Sequence, residues 1–163
     1  MSDGTSEDAR AAATTEAQRV AEDLALFHAS LDRVSASPAF LDLVYDAFLD
    51  RSPRAREIFR GVDMERLKRK LAAALRLVVL AIDDDPGASL YLEHIGRVHR
   101  RLDVGPELYP LWIDALVEAV GRCDPRPEPR TEAVWRELVG RAVQVILSQY
   151  GDADGVISSH PAP

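Results

Sequence analysis

From Val20 to Val34 the bulky apolar residues Val20, Leu24, Phe27, Leu31 and Val34 recur at steps of three and four, and the same step returns in most later segments. That spacing follows the 3.6-residue turn of an α-helix, so each segment can hide its apolar side only by packing one helical stripe against others. No segment alternates with period two for long enough to make a strand, and no internal repeat occurs. The pattern predicts an all-α fold of about seven helices, and 163 residues at 18.0 kDa is the length of one domain.

Turn and cap signals divide the chain. Residues 1–15 are rich in Ser, Thr, Ala, Gly, Asp and Glu and carry almost no bulky side chain, so they read as a loose, disordered N-terminal tail. The folded domain is expected over residues 16–150. Ser35-Ala-Ser-Pro38 ends the first helix, and Ser37 before Pro38 reads as the start of the next, with Phe40, Val44, Ala47 and Phe48 as its stripe. Ser52-Pro53 repeats the signal and opens a short segment through Ile58 and Phe59, broken at Arg60-Gly61. Asp63 can cap a helix with the stripe Leu67, Leu71, Leu75, Val78 and Ile82, closed by the turn cluster Asp83 to Gly87. A helix from about Ala88 to Leu102 follows. Gly105-Pro106 opens another carrying Leu108, Trp112, Leu116 and Val120, and Asp124 to Pro129 closes it. Thr131 reads as the cap of a last helix from Glu132 to Tyr150, and residues 151–163 form a short polar tail.

Charge narrows the partners. With 20 Lys plus Arg against 27 Asp plus Glu the formal charge is −7, which argues against nucleic acid and anionic lipid surfaces over most of the molecule. The longest wholly apolar run, Leu77 to Ile82, is far short of the roughly 20 residues that span a bilayer. Residues 1–10 lack the apolar core of a secretory signal, and the single Cys123 cannot form an internal disulfide, so a reducing cytoplasm is the expected compartment. Cys123, at a helix end, reads as a half-buried small residue.

Among the four histidines only one falls on an apolar face. At 100° per residue Val98, Tyr91, Leu102, Ile95, His99 and Leu92 share an arc of about 120°, which turns His99 inward. His94 lies just beyond the edge of that arc beside Arg101. His28 and His160 are not placed for chemistry. A buried imidazole needs a partner, either a backbone carbonyl or a metal. No second His, Cys or carboxylate stands at i+3 or i+4 on the same face, so a zinc site built from protein ligands alone is poorly supported. One protein ligand suffices where a cofactor supplies the rest, as the four pyrrole nitrogens of haem do.

Two blocks of sequence then carry a resemblance. Ile95-Gly96-Arg97-Val98-His99 followed by Val104-Gly105-Pro106-Glu107-Leu108-Tyr109 is similar to the proximal-histidine segment of bacterial globins, especially the globin domain of flavohaemoglobins and their single-domain relatives. Upstream, Tyr45-Asp-Ala-Phe48 through Ser52-Pro53 to Ile58-Phe59 resembles that family's distal tyrosine, helix-starting proline and haem-stacking phenylalanine, and Trp135 matches an aromatic of the last helix. The resemblance covers about Leu31 to Tyr150.

It implies a globin fold around a haem pocket, with haem b as cofactor and His99 as the iron ligand. Tyr45 would be the distal hydrogen-bond donor that stabilises dioxygen, and Phe59 would pack on the porphyrin. Leu67, where many relatives place Gln or His, can neither donate nor coordinate, and Leu71 would wall the pocket. Ile95, Val98, Leu102 and Val104 would line the proximal side, with Tyr109 beside the histidine. The family's proximal glutamate is missing, its position falling on Tyr150 next to Gln149, which implies a weaker electron push and favours reversible ligation over peroxidase-like chemistry. Arg97, Arg66 and Lys70 are candidate partners for the propionates. The implied function is reversible binding of O2, NO and CO. Nitric oxide dioxygenase activity is the alternative; only thirteen residues follow Tyr150, so it would call for a separate reductase. A haem-based gas sensor or a haem-free interaction module are the other readings.

Overall fold

Seven α-helices follow one another in a computed structural model that describes residues 4–82 and 85–151: α1 (Gly4–Ser35), α2 (Phe40–Arg51), α3 (Pro53–Ile58), α4 (Met64–Ile82), α5 (Pro86–Arg101), α6 (Leu108–Cys123) and α7 (Thr131–Leu147). There is no strand among the described residues. Asp83, Asp84, His160 and the expected polar tail from residue 152 onward lie outside them, as do residues 1–3.

α2 packs most extensively on α6, α5 on α7, and α1 lies across α6 and α7. The centre of the core is Trp135 of α7, fully buried, with the Phe27 ring at 4.4 Å and the Phe40 ring at 6.4 Å between centroids. Its indole N–H donates to Ser30 Oγ at 3.0 Å, so the large apolar surface is buried without stranding a donor. Ser30 donates in turn to Asp124 Oδ2 at 2.7 Å, and Arg33 grips the same carboxylate with Nε at 2.6 Å and Nη2 at 2.9 Å. This buried knot ties α1 to the end of α6. The Arg33 guanidinium holds the Asp124 carboxyl down at about 2.

The sequence expectations meet the structure unevenly at the boundaries. The chain is helical from Gly4, well ahead of the expected start near Glu16. Ala9 to Thr15 are exposed, so no packing holds them; Ala-rich sequence propagates a helix already nucleated by the buried half of α1. Ser52 and Asp63 cap as read, accepting from Ala55 N and Arg66 N at 3.1 and 3.0 Å. Ser37 does not cap: α2 begins three residues later, and the Ser37 hydroxyl donates to Cys123 Sγ at 3.6 Å. Thr131 is already inside α7, and its hydroxyl accepts from Glu128 N at 2.8 Å, bracing the preceding loop. α7 stops at Leu147, and Ser148 to Tyr150 continue as a turn.

No described helix is long and apolar enough to cross a membrane.

Candidate functional site

α5 is fixed at both ends. Asp85 caps it, accepting from Ala88 N at 2.8 Å, with Pro86 in its first turn. Its C-terminus closes in two reversed bonds, Val104 N–H to His99 O at 3.0 Å and Asp103 N–H to Arg100 O at 3.2 Å, with Asp103 in the left-handed region at φ 57°. One turn before His99, Gly96 brings the α5 backbone against α7: a Cβ there would lie 2.4 Å from the Ile146 carbonyl oxygen. Only glycine permits that approach, three residues before His99 on the same helix.

The His99 ring belongs to a chain of hydrogen bonds whose direction is determined by its far end. Tyr150 Oη donates to the Val104 carbonyl at 2.8 Å, and a carbonyl can only accept. Tyr109 and Tyr150 hydroxyls lie 2.9 Å apart, so the proton between them comes from Tyr109. Tyr109 Oη then has its oxygen free for His99 Nδ1, 2.9 Å away, and must accept there. The proton of the neutral imidazole is thereby assigned to Nδ1, which leaves the lone pair on Nε2. That nitrogen has no protein partner among the described residues. Burial lowers the His99 pKa and so favours this neutral form.

Beside this ring lies a cavity of about 420 Å³, within the range of cofactor sites. The residues Tyr45, Phe59, Leu67, Leu71, Ile95, Val98, His99, Leu102, Val104 and Tyr109, expected together from sequence, all line it. α4 contributes a wall of Leu67, Leu71, Leu75 and Val78, which offers no polar side chain. From α2, Tyr45 is 6% exposed and its hydroxyl has no hydrogen-bond partner among the described residues. Burial pushes its pKa well above that of an ordinary phenol, which keeps it a neutral donor. The Tyr45 and Phe59 rings lie 5.9 Å apart, and Phe48 meets Phe59 edge-on at the same separation.

The rim combines charge with uncovered apolar surface. Lys70 and His94 are exposed where they line the cavity, and Leu102 is 61% and Tyr91 37% exposed. Of the three proposed propionate partners only Lys70 lines the cavity. Arg97 turns to Gln149 Oε1 at 3.1 Å and to Glu93 at 3.6 Å, and Arg66 is exposed outside the lining. Sequence reading missed the floor supplied by α7, namely Val139, Ala142, Val143 and Ile146, although their three-and-four spacing was available. Trp112 and Phe48 were read as stripe residues and also line the cavity.

A flat apolar cofactor carrying iron fits these residues on chemical grounds: a bare imidazole nitrogen, an apolar enclosure, an unpartnered hydroxyl and a lysine at the rim. Among the described residues no cluster of three or more His, Cys, Asp or Glu side chains offers a metal a site made of protein ligands alone.

Comparison with known proteins agrees with this architecture. The family model described as Globin matches residues 42–146. An uncharacterized globin-like protein of Aquifex aeolicus (strain VF5) is 32% identical over 77 residues, which is 47% of this chain and 55% of that one, so the chain spans about half the length of the curated relative it matches. The crystal structure of a Pseudomonas aeruginosa PAO1 protein, described as structurally highly homologous to a human hemoglobin, superposes with a TM-score of 0.75 at 36% identity, covering 80% of this chain and 99% of that one. A seven-helix fold, a match over most of the helical body and a solved relative of the same shape together establish that this chain belongs to the globin family.

Proposed function

We propose that this chain holds haem b through His99 and reversibly binds diatomic gases, with O2, NO and CO as ligands. The observation that carries the reading is the tyrosine relay that assigns the His99 proton to Nδ1 and leaves Nε2 bare beside an apolar cavity. Bound haem would supply an iron with one position open to gas. The chain's residues do the rest. His99 presents a neutral nitrogen held in orientation by Tyr109. Phe59, Ile95, Val98, Leu102 and Val104 exclude water around the ring, and Leu67 and Leu71 wall the gas side with groups that cannot coordinate.

Tyr45 supplies the donor on the α2 side. A neutral phenol in an otherwise apolar wall favours a ligand whose outer atom gathers negative charge, by about 1–3 kcal/mol for a charge-assisted bond. Dioxygen gathers such charge and carbon monoxide hardly does. The relay behind His99 ends on the Val104 carbonyl and contains no carboxylate, so it gives the imidazole little added basicity. That supports reversible ligation over oxygen–oxygen cleavage, and likens the chain to the single-domain relatives of flavohaemoglobins.

Reconstitution with hemin followed by absorption spectra of the ferric, ferrous, oxy and carbonmonoxy forms tests the reading. A Soret band that His99→Ala abolishes or shifts is the expected result. A preparation that stays colourless, or a His99→Ala variant with the parental ferrous spectrum, overturns it. Nitric oxide dioxygenase turnover with a separate reductase is the second reading; fast multiple turnover on mixing the oxy form, nitric oxide and a reductase identifies it.

A further inference from the structure

Tyr150 holds the far end of the proton relay, yet it stands outside regular helix. α7 stops at Leu147, and the next three residues are carried by turn bonds: Ser148 N–H to Gln144 O at 2.9 Å, Gln149 N–H to Ile146 O at 3.2 Å and Tyr150 N–H to Leu147 O at 2.9 Å. A helix end of this kind frays unless contacts from another element hold it. Here that element is α5.

Gly96, Arg97 and Arg100 of α5 all meet Gln149. Gly96 leaves a notch in which the glutamine side chain lies: a Cβ on Gly96 would stand 2.9 Å from Gln149 Cγ and 3.0 Å from Gln149 Cβ. Arg97 Nη1 donates to Gln149 Oε1 at 3.1 Å, and the Glu93 carboxylate is 3.6 Å from the same nitrogen. Arg100, one turn beyond Gly96 on the same face, donates from Nη1 to the Gln149 main-chain carbonyl at 3.3 Å. Gln149 is therefore held by both its side chain and its main chain. Its neighbour Tyr150 is half-buried, meets the Tyr109 ring edge-on at 6.1 Å between centroids, and sets its hydroxyl on the Val104 carbonyl. His99 lies on the helix that carries the three residues holding Gln149, so one rigid element bears both the imidazole and the seat of the turn that orients its proton. None of Gly96, Arg97, Arg100 and Gln149 lines the cavity, so any influence they have on His99 passes through Tyr150 and Tyr109.

We propose that Gln149 is a positioning residue: seated in the Gly96 notch and held by Arg97 and Arg100, it keeps the Tyr150 hydroxyl on the Val104 carbonyl and so keeps the His99 proton on Nδ1. When the seat is lost Tyr150 withdraws, Tyr109 is released to donate its own proton toward Nδ1, and the imidazole proton passes to Nε2. The proton order is a property of the fold itself; its consequence for an iron ligand rests on the haem reading above.

The test reads the tautomer directly in the full chain before hemin is added, at about pH 8 where histidine is neutral, from the ring-nitrogen shifts of His99 in proton–nitrogen correlation spectra. The parent should show a protonated Nδ1 and a bare Nε2. Gln149→Ala, and separately Arg97→Ala combined with Arg100→Ala, should move the proton toward Nε2. Gln149→Glu, which keeps the stem in the notch and an acceptor for Arg97, should leave it on Nδ1, as should Gln144→Ala, exposed on α7. After hemin loading, transfer of haem to an acceptor apoprotein should be about 3–10-fold faster in Gln149→Ala than in the parent. In a Tyr150→Phe background Gln149→Ala should add nothing, because both changes act through the same hydroxyl. Should Gln149→Ala lose helix by circular dichroism, the exposed arginine pair decides. A parent with the proton on Nε2, or divided between the two nitrogens, overturns the relay and the proposal together. A tautomer that stays on Nδ1 in Gln149→Ala and in the arginine pair, or effects that add to those of Tyr150→Phe, overturns the positioning role. A chain whose tautomer moves as expected but which refuses hemin upholds that role and overturns the haem reading alone.

Discussion

Tyr150 Oη lies 2.8 Å from the carbonyl oxygen of Val104, joining the turn after α7 to the loop after α5. Because the carbonyl can only accept, this one contact orients every proton back to His99. Removing the Tyr150 hydroxyl leaves Tyr109 free to turn its own proton toward Nδ1, which would move the imidazole proton to Nε2 and spoil it as a ligand. Tyr150→Phe is expected to raise the haem dissociation rate by about 10–100-fold, read as transfer of haem to an acceptor apoprotein. An unchanged rate would mean that Tyr109 alone holds the ring.

Tyr45→Phe keeps the ring that packs at 5.9 Å on Phe59 and removes only the hydroxyl. Dioxygen dissociation should accelerate by about 10–100-fold, the kinetic equivalent of 1–3 kcal/mol, with carbon monoxide dissociation changed by little. Flash photolysis and stopped-flow displacement of both gases check it. Equal effects on both would assign Tyr45 to packing.

Asp124 makes stability depend on acid. Its folded pKa of about 2 lies below the unfolded value of 3.8, so the stabilisation is complete above pH 3.8 and is lost as the pH falls through 2. That difference corresponds to about 2 kcal/mol. Urea denaturation of the parent should weaken over that window. In Asp124→Asn, stability at pH 7 should fall by about 2–4 kcal/mol, with Arg33 left half-paired, and this part of the acid dependence should vanish.

Gly96→Ala places a methyl group where the Ile146 carbonyl oxygen is 2.4 Å away, so α5 and α7 must separate. A loss of about 1–3 kcal/mol in stability is expected by thermal denaturation. His99 is one turn on, so faster haem loss should accompany it. Gly140→Ala, where an added Cβ meets nothing within 4 Å, is the control and should be neutral or stabilising.

What was legible in the sequence follows periodicity. His99 could be turned inward by counting 100° steps, because α5 is regular from Pro86 to Arg101, and the α4 wall from Leu67 to Val78 was legible for the same reason. Ser52 and Asp63 were legible because a cap is a local interaction, settled within three residues. Ser37 and Thr131 carry the same local signal but meet a cysteine 86 residues away and a loop N–H behind, and such competition is decided by tertiary packing. The Tyr109–Tyr150 contact joins residues 41 apart, and the Asp124 knot joins residues 91 and 94 apart; no window along the chain contains either. The early start of α1 was missed because absence of bulky side chains argues against packing and not against helix, and Ala-rich sequence needs no packing to extend one.

At Gly96, α5 runs so close to the Ile146 carbonyl of α7 and to the Gln149 side chain that no Cβ fits between them. Substitutions at the side chains around it can reshape the chamber's walls and polarity while the seat of the imidazole stays at one depth. A lineage drifting through this fold could therefore remodel what the chamber admits without shifting the ring at its edge.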